Sequence, residues 1–230
     1  MKLKHPISGF LSKDMSYSCA IFDSSDQDKG VGMSGEGSSV RDVDELHEGQ
    51  VRKMKNAIDK AHILPGQRIL DIGCGWGSLA IMIAECIPST KIDAITLSVH
   101  QQTLAQERIA LAGLSDRITI HLMDYRNMPS DWKNAFDRVI SIEMIEHVGK
   151  DFLEAFWSAV HWAMKLKDAI GVVQVITMPE ASRSVTSALT SFLSKNCFSG
   201  CNAQKPDFMR KWVSNCILGR FVVLIYCSTE

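Results

Sequence analysis

Between residues 68 and 177 short apolar runs alternate with amphipathic stretches. The runs at 68–72, 91–97, 117–122, 136–142 and 170–177 have strand length and are rich in β-branched residues. The stretches at 76–86, 99–112 and 150–166 carry their apolar residues at helical spacing. A further helix is predicted from about Val43 to His62, marked by Val43, Leu46, Val51, Met54 and Ile58 and ended before Pro65-Gly66. Strands alternating with helices predict an α/β fold, a mostly parallel sheet flanked by helices, in which ligands bind at the carboxyl ends of the strands.

Three segments follow from this pattern. Residues 1–42 form an N-terminal segment with a Gly/Ser-rich stretch at 24–39 that reads as a loop able to cover a site. Residues 43–180 form the core, and residues 181–230 a divergent tail in which the alternation is lost. Within that tail, Phe221 to Tyr226 can supply one strand, so the C-terminal part of the sheet is expected to be incomplete.

Candidate chemistry concentrates at the first strand. Arg68 to Ser78 reads RILDIGCGWGS: an apolar strand, an acid (Asp71), then Gly73, Gly75 and Gly77 with Cys74 between, and a helix starting near Trp76. Glycines at alternate positions allow a sharp turn and let a ligand lie against main-chain N–H groups. A structural tight turn would use the same residues. A dinucleotide site needs G-x-G-x-x-G and an acid about twenty residues on. Here the spacing is D-x-G-x-G-x-G, and the second strand ends in Thr96-Leu97-Ser98 with no acid, which favours S-adenosylmethionine over a nicotinamide cofactor.

Further motifs follow in order: Tyr17-Ser18-Cys19-Ala20, Ile95-Thr96-Leu97-Ser98 with Gln101, Asp124-Tyr125-Arg126, Phe136-Asp137-Arg138, and Ser141-Ile142-Glu143-Met144-Ile145-Glu146-His147-Val148-Gly149. Together with the glycine turn they make residues 15 to 180 resemble the cyclopropane-fatty-acyl-phospholipid synthase family, S-adenosylmethionine-dependent methyltransferases acting on lipid double bonds. The resemblance implies a Rossmann-like class I methyltransferase fold. It also implies transfer of a methyl or methylene group to the double bond of an unsaturated acyl chain of a phospholipid or related lipid, met at a membrane surface. Asp71 and the turn Gly73-Cys74-Gly75 with Gly77 would hold the amino-acid portion of the cofactor. Thr96, Ser98 and Gln101 would serve the ribose, Asp124 and Tyr125 would flank the adenine, and Tyr17 and Ser18 would close over it. For Gln101 and Asp124 an ordinary helix-start or turn role is the alternative.

For the chemistry, the resemblance implies a bound bicarbonate that takes a proton from the substrate, with Cys19 and Glu146 matching positions that hold this ion and Ile176 a position contributing main-chain contact. Where the better-studied relatives carry a histidine, this chain has Gln174, which can orient an anion but cannot take up a proton at neutral pH. Phe152, Phe156, Trp157, Val160 and Met164 have the spacing of a helix packed on a sheet, so core packing is expected rather than a lipid groove. Two alternatives stay open: a small-molecule N-methyltransferase of the coclaurine type, and a catalytically incomplete cofactor-binding fragment.

Composition narrows the classes further. With 230 residues, 46% hydrophobic and a net charge of −1, the chain can bury one core and presents no electrostatic case for nucleic acid. No run reaches the roughly 18 apolar residues of a spanning helix, and MKLKHPISGF lacks a secretory apolar stretch. A cytoplasmic protein, soluble or peripheral to a membrane, is expected. Of seven cysteines, Cys197, Cys201, Cys216 and Cys227 fall near the end, with no histidine beyond His161. Their spacing matches no common zinc pattern, so no metal is expected and free thiols are.

Overall fold

The computed structural model describes residues 11–22, 44–177 and 221–227, the last of these as backbone. The Gly/Ser-rich stretch at 24–39 and the tail cysteines Cys197, Cys201 and Cys216 lie outside the described residues. The first helix, α1 (Glu45–Ala61), starts where the Asp44 carboxylate accepts the N–H of His47 at 3.0 Å and has Glu45 and Glu48 in its first turn, as the helix dipole favours. It is followed by β1 (Arg68–Ile72), α2 (Ser78–Cys86), β2 (Lys91–Thr96), α3 (Val99–Leu111), β3 (Ile118–Leu122), β4 (Arg138–Ile142), α4 (Leu153–Ala163), β5 (Ile170–Thr177) and β6 (Phe221–Cys227).

The strands form one six-stranded sheet in the order β3-β2-β1-β4-β5-β6, every pair parallel. Phe221–Cys227 therefore supplies a strand beside β5, pairing from Gly171↔Phe221 to Thr177↔Cys227. Parallel strands need a cover on both faces, and the core is split accordingly. On one face Ile69, Ile92, Ala94, Ile118, Ile120, Ile140 and Val172 pack with residues of α1, α2 and α3. On the other, Leu70, Ile72, Ile95, Val139 and Val173 pack with Phe156, Trp157 and Val160 of α4 and with Trp132 and Phe136. The strand order reverses between β1 and β4, the place where a doubly wound sheet opens a crevice at its carboxyl edge.

Two boundaries differ from the sequence expectation for physical reasons. α2 begins at Ser78 rather than near Trp76, because Gly77 is left-handed (φ 79°) and cannot continue a right-handed helix backward. α4 begins at Leu153, after a short 3-10 turn at Lys150–Phe152. Phe156, Trp157, Val160 and Met164 are core residues as expected, but Phe152 stands in that turn and is 52% exposed. The Phe136-Asp137-Arg138 motif lies at the amino end of β4, away from the crevice. There the Asp137 carboxylate accepts the Arg68 N–H at 2.9 Å, and Arg138 donates to the carbonyls of His62 and Asp168.

Candidate active site

A cavity of about 520 Å³ opens at the carboxyl ends of β1, β2, β3 and β4. Its floor is the glycine turn, with φ of 84°, 54° and 79° at Gly73, Gly75 and Gly77. A Cβ on Gly73 would stand 2.8 Å from Met144 Cγ, and one on Gly77 would press Ala105 Cβ of α3 at 3.2 Å. At Gly75 a Cβ would meet nothing within 4 Å, so the turn is open there. The N–H groups of Gly73 and Cys74 donate to Ile95 O (3.0 and 3.1 Å) and that of Gly77 to Cys74 O, so these three hold the turn instead of facing a ligand. Cys74 is buried, which pushes its thiol up and leaves it protonated.

Asp71 lies within β1, one residue before its end, and lines the cavity. It is 2% exposed, and its Oδ2 has no hydrogen-bond partner among the described residues. Burial pushes its pKa up to about 7. A buried carboxylate without a partner is costly unless it is protonated or meets a cation, so this acid is suited to a positively charged ligand group.

Around the β2 end, Thr96 Oγ1 donates to Gln101 Oε1 at 2.6 Å, and both residues line the cavity. Ser98 caps α3 through Gln101 N at 3.3 Å and is absent from the lining, so its side chain serves the helix start. At the β3 end Asp124 caps the turn Tyr125–Asn127 and pairs with Arg126, whose guanidinium holds its carboxyl below the usual range; both line the cavity. Tyr125, also in the lining, meets Phe156 edge-on at 5.5 Å.

Residues 11–22 run across the cavity as a strap. Buried Asp14 anchors it, its carboxylate meeting Ser16 N and His47 Nδ1 at 2.8 Å and its carbonyl accepting from Ser78 Oγ and Arg108 Nη2. Further along, Gln50 Nε2 donates to Ser18 O at 2.6 Å, and Ile21 N donates to Gly49 O at 3.1 Å. Met15 to Ser18 line the cavity, with Tyr17 73% exposed at its rim. Lys53 of α1 lies under the strap, only 1% exposed, and donates to Ser18 Oγ and Gln50 Oε1. Burial lowers its pKa, against the opposing pull of Glu143 and Asp14. Sequence reasoning missed Lys53, because a lysine on an amphipathic helix reads as solvent-facing.

Beyond β4 the second acidic centre appears. Both Glu143 oxygens face the main-chain N–H of Cys19, at 2.9 and 3.1 Å, and Gln174 Nε2 donates to Oε1 at 2.7 Å. Glu143 lines the cavity, whereas Cys19, Glu146, Gln174 and Ile176 are not among its lining residues. Glu146 is 4% exposed and accepts the Ile176 N–H at 2.6 Å, while its Oε2 and Gln174 Oε1 have no partner among the described residues. Burial pushes Glu146 up to about 7 and Glu143 above the ordinary range. The Cys19 thiol is pushed up to about 11 by burial and then by Glu143, which makes it a poor nucleophile. Thus Cys19 and Gln174 converge on Glu143, a residue the sequence reading left out of the site, and only Ile176 meets Glu146. Among the described residues no group of histidine, cysteine and carboxylate side chains is arranged to hold a metal ion.

Residues 7–218 match the family described as mycolic acid cyclopropane synthetase, well beyond the stretch 15 to 180 that carries the resemblance in its motifs. The chain belongs to the mycolic acid cyclopropane synthetase family. It is 33% identical over 191 residues to the tuberculostearic acid methyltransferase UfaA1 of Mycobacterium tuberculosis, an alignment covering 83% of this chain and 41% of the relative. It is 39% identical over 125 residues to the cyclopropane-fatty-acyl-phospholipid synthase of Escherichia coli, covering 54% of this chain and 30% of the relative. The chain thus spans less than half the length of either. A crystal structure of the mycolic acid cyclopropane synthase CmaA1 complexed with SAH and CTAB superimposes with a TM-score of 0.70 at 22% identity, covering 93% of this chain and 71% of that one. The fold of this family member is accordingly the Rossmann-like class I methyltransferase fold.

Proposed function

We propose that the cavity binds S-adenosylmethionine and that the chain directs methyl transfer to an alkene carbon of an unsaturated acyl chain, in a phospholipid or related lipid at a membrane surface. One observation carries the reading: Asp71, a buried acid with an unpartnered oxygen, lines a crevice where the strand order reverses, beside a turn that is open at Gly75. Family membership, and the lipid-modifying names of the relatives above, support the substrate class.

The residues fit the cofactor. Asp71 would meet the cationic amino group, Gln101 the ribose hydroxyls, and Asp124 with Tyr125 the adenine edge and face. Tyr17 and Ser18, on the strap, would cover the bound molecule and exclude water, which orients the reacting groups and strengthens the electrostatics inside. The bound sulfonium supplies an activated methyl group. On the β4 side Met144, Val148 and Phe152 give an apolar wall suited to an acyl chain. A bicarbonate does not fit as well: the Cys19 N–H and the Gln174 amide are already engaged by Glu143, and the Ile176 N–H by Glu146.

The test is incubation of the chain with S-adenosylmethionine and vesicles of unsaturated phospholipid, followed by mass analysis of the extracted acyl chains. A gain of one methylene unit is expected. Methylation of an added amine with no change in lipid would favour the N-methyltransferase alternative, and cofactor binding with no product of either kind would favour a non-catalytic binder.

A further inference from the structure

We infer that Glu143 is the proton acceptor of the reaction, a carboxylate built into the chain on the donors that would otherwise hold a free anion. The inference rests on the methyl-transfer reading. Three observations carry it. The N–H of Cys19, from the strap, and the amide of Gln174, from β5, are far apart in sequence yet close on this one carboxylate at 2.7 to 3.1 Å. Glu143 is at the same time the member of this cluster that lines the cavity; Cys19, Glu146, Gln174 and Ile176 do not. Its backbone is left-handed, φ 49°, a conformation that glycine adopts cheaply and a long side chain does not. The glutamate thus holds a strained position directly on the donors that the family resemblance assigns to an anion.

The surroundings suit a base. Burial raises the Glu143 pKa above that of an ordinary glutamate, which strengthens it as a proton acceptor, while the buried Lys53 and the Cys19 N–H favour the ionised form. Gln174 donates and cannot accept the proton in its place. In the step itself, the alkene π pair forms the bond from one alkene carbon to the incoming methyl as the methyl–sulfur bond breaks with its electron pair left on sulfur, and the positive charge passes to the other alkene carbon. A Glu143 oxygen then takes a proton from the added methyl, and the released C–H pair closes the third bond of a cyclopropane ring. Cation and carboxylate are both neutralised, and the glutamic acid returns its proton to water. Loss of a proton from a neighbouring chain carbon instead would leave a methyl branch beside a double bond.

Glu143→Gly and Glu143→Gln separate this role from others, since glycine suits the left-handed backbone and glutamine keeps the shape without the basicity. On the cofactor-free protein, ¹³C-bicarbonate NMR should detect no bound ion in the native chain and a bound ion in Glu143→Gly, where the Cys19 and Gln174 donors are released. In bicarbonate-depleted buffer the native chain should keep its turnover, and Glu143→Gln should lose about 10²–10⁴-fold, the usual span for a general base. Bicarbonate bound by the native chain as tightly as by Glu143→Gly would overturn the inference. So would loss of native turnover on depletion, or full turnover by Glu143→Gln. Calorimetric titration of the same proteins with S-adenosylmethionine keeps the two readings apart. Failure of the native chain to bind overturns both, whereas binding together with any of the contrary results above overturns the role of Glu143 alone.

Discussion

Asp71 and Glu143 stand at the carboxyl ends of the adjacent strands β1 and β4, either side of the point where the sheet order reverses, and the fold treats them in opposite ways. Asp71 is sealed in β1 with an oxygen that meets no donor, and its pKa is driven up to about 7 by burial alone. Glu143, just past β4, has both oxygens held by donors from the strap and from β5. The difference separates two kinds of functional acid. An unpartnered one is a binding group whose counter-charge arrives with the ligand, while a fully partnered one is a positioned reagent belonging to the protein itself.

Exchanging Asp71 for asparagine should give the largest effect. Losing the partner of a buried cation costs about 3–5 kcal/mol, so calorimetry on Asp71→Asn should show at least a hundredfold weaker binding of S-adenosylmethionine. Its cofactor-free melting temperature should hold or rise, because a buried unpaired acid has been removed. Glu143→Gln should change cofactor affinity far less; equal losses in the two variants would erase the distinction between them.

The turn beneath Asp71 provides the next contrast. Gly73→Ala combines a left-handed backbone with a 2.8 Å approach to Met144 and should lower stability by about 2–3 kcal/mol in denaturant unfolding. Gly75→Ala has the backbone cost without the clash and should lose about 1–2 kcal/mol. At the far side of the cavity, Gln101→Ala should weaken cofactor binding by about 1–2 kcal/mol, the scale of lost buried hydrogen bonds.

The smallest effect is in pH. With Asp71 protonated below about 7 and ionised when it meets a cation, cofactor affinity should rise by up to about tenfold between pH 6 and pH 8 and flatten above that. For the cofactor-free chain the sign is opposite. The folded state holds protons on Asp71 and Glu146 that the unfolded state releases near pH 4, so these two groups make stability fall as pH rises from about 4 to 7. Thermal unfolding across that range, with Asp71→Asn showing a shallower slope, would check it.

The strands and the glycine turn were legible in the sequence because local signals mark them: apolar runs of strand length, and D-x-G-x-G-x-G at a strand end. What escaped depends on contacts distant in sequence. Lys53 is buried because residues 12–22 lie over α1, and no helical periodicity announces a strap. Phe152 continues the apolar spacing of α4, yet a 3-10 turn rotates it out of that face and into the cavity wall. That Glu143, and not Glu146, meets the Cys19 N–H and the Gln174 amide depends on the strap and β5, and nothing in the run SIEMIEHVG indicates it. Ser98 sits in a motif that implies a cofactor role, whereas its hydroxyl caps α3.

Whether Asp71 binds the ligand's cation is tested most directly by isothermal titration of the 230-residue chain with S-adenosylmethionine at pH 6.5, in two buffers of different ionisation enthalpy. Saturable binding is expected with a fraction of a proton released per site, as Asp71 gives up its proton to meet the ligand's cation. No heat of binding at millimolar cofactor, from a protein shown to be folded by circular dichroism, would contradict it.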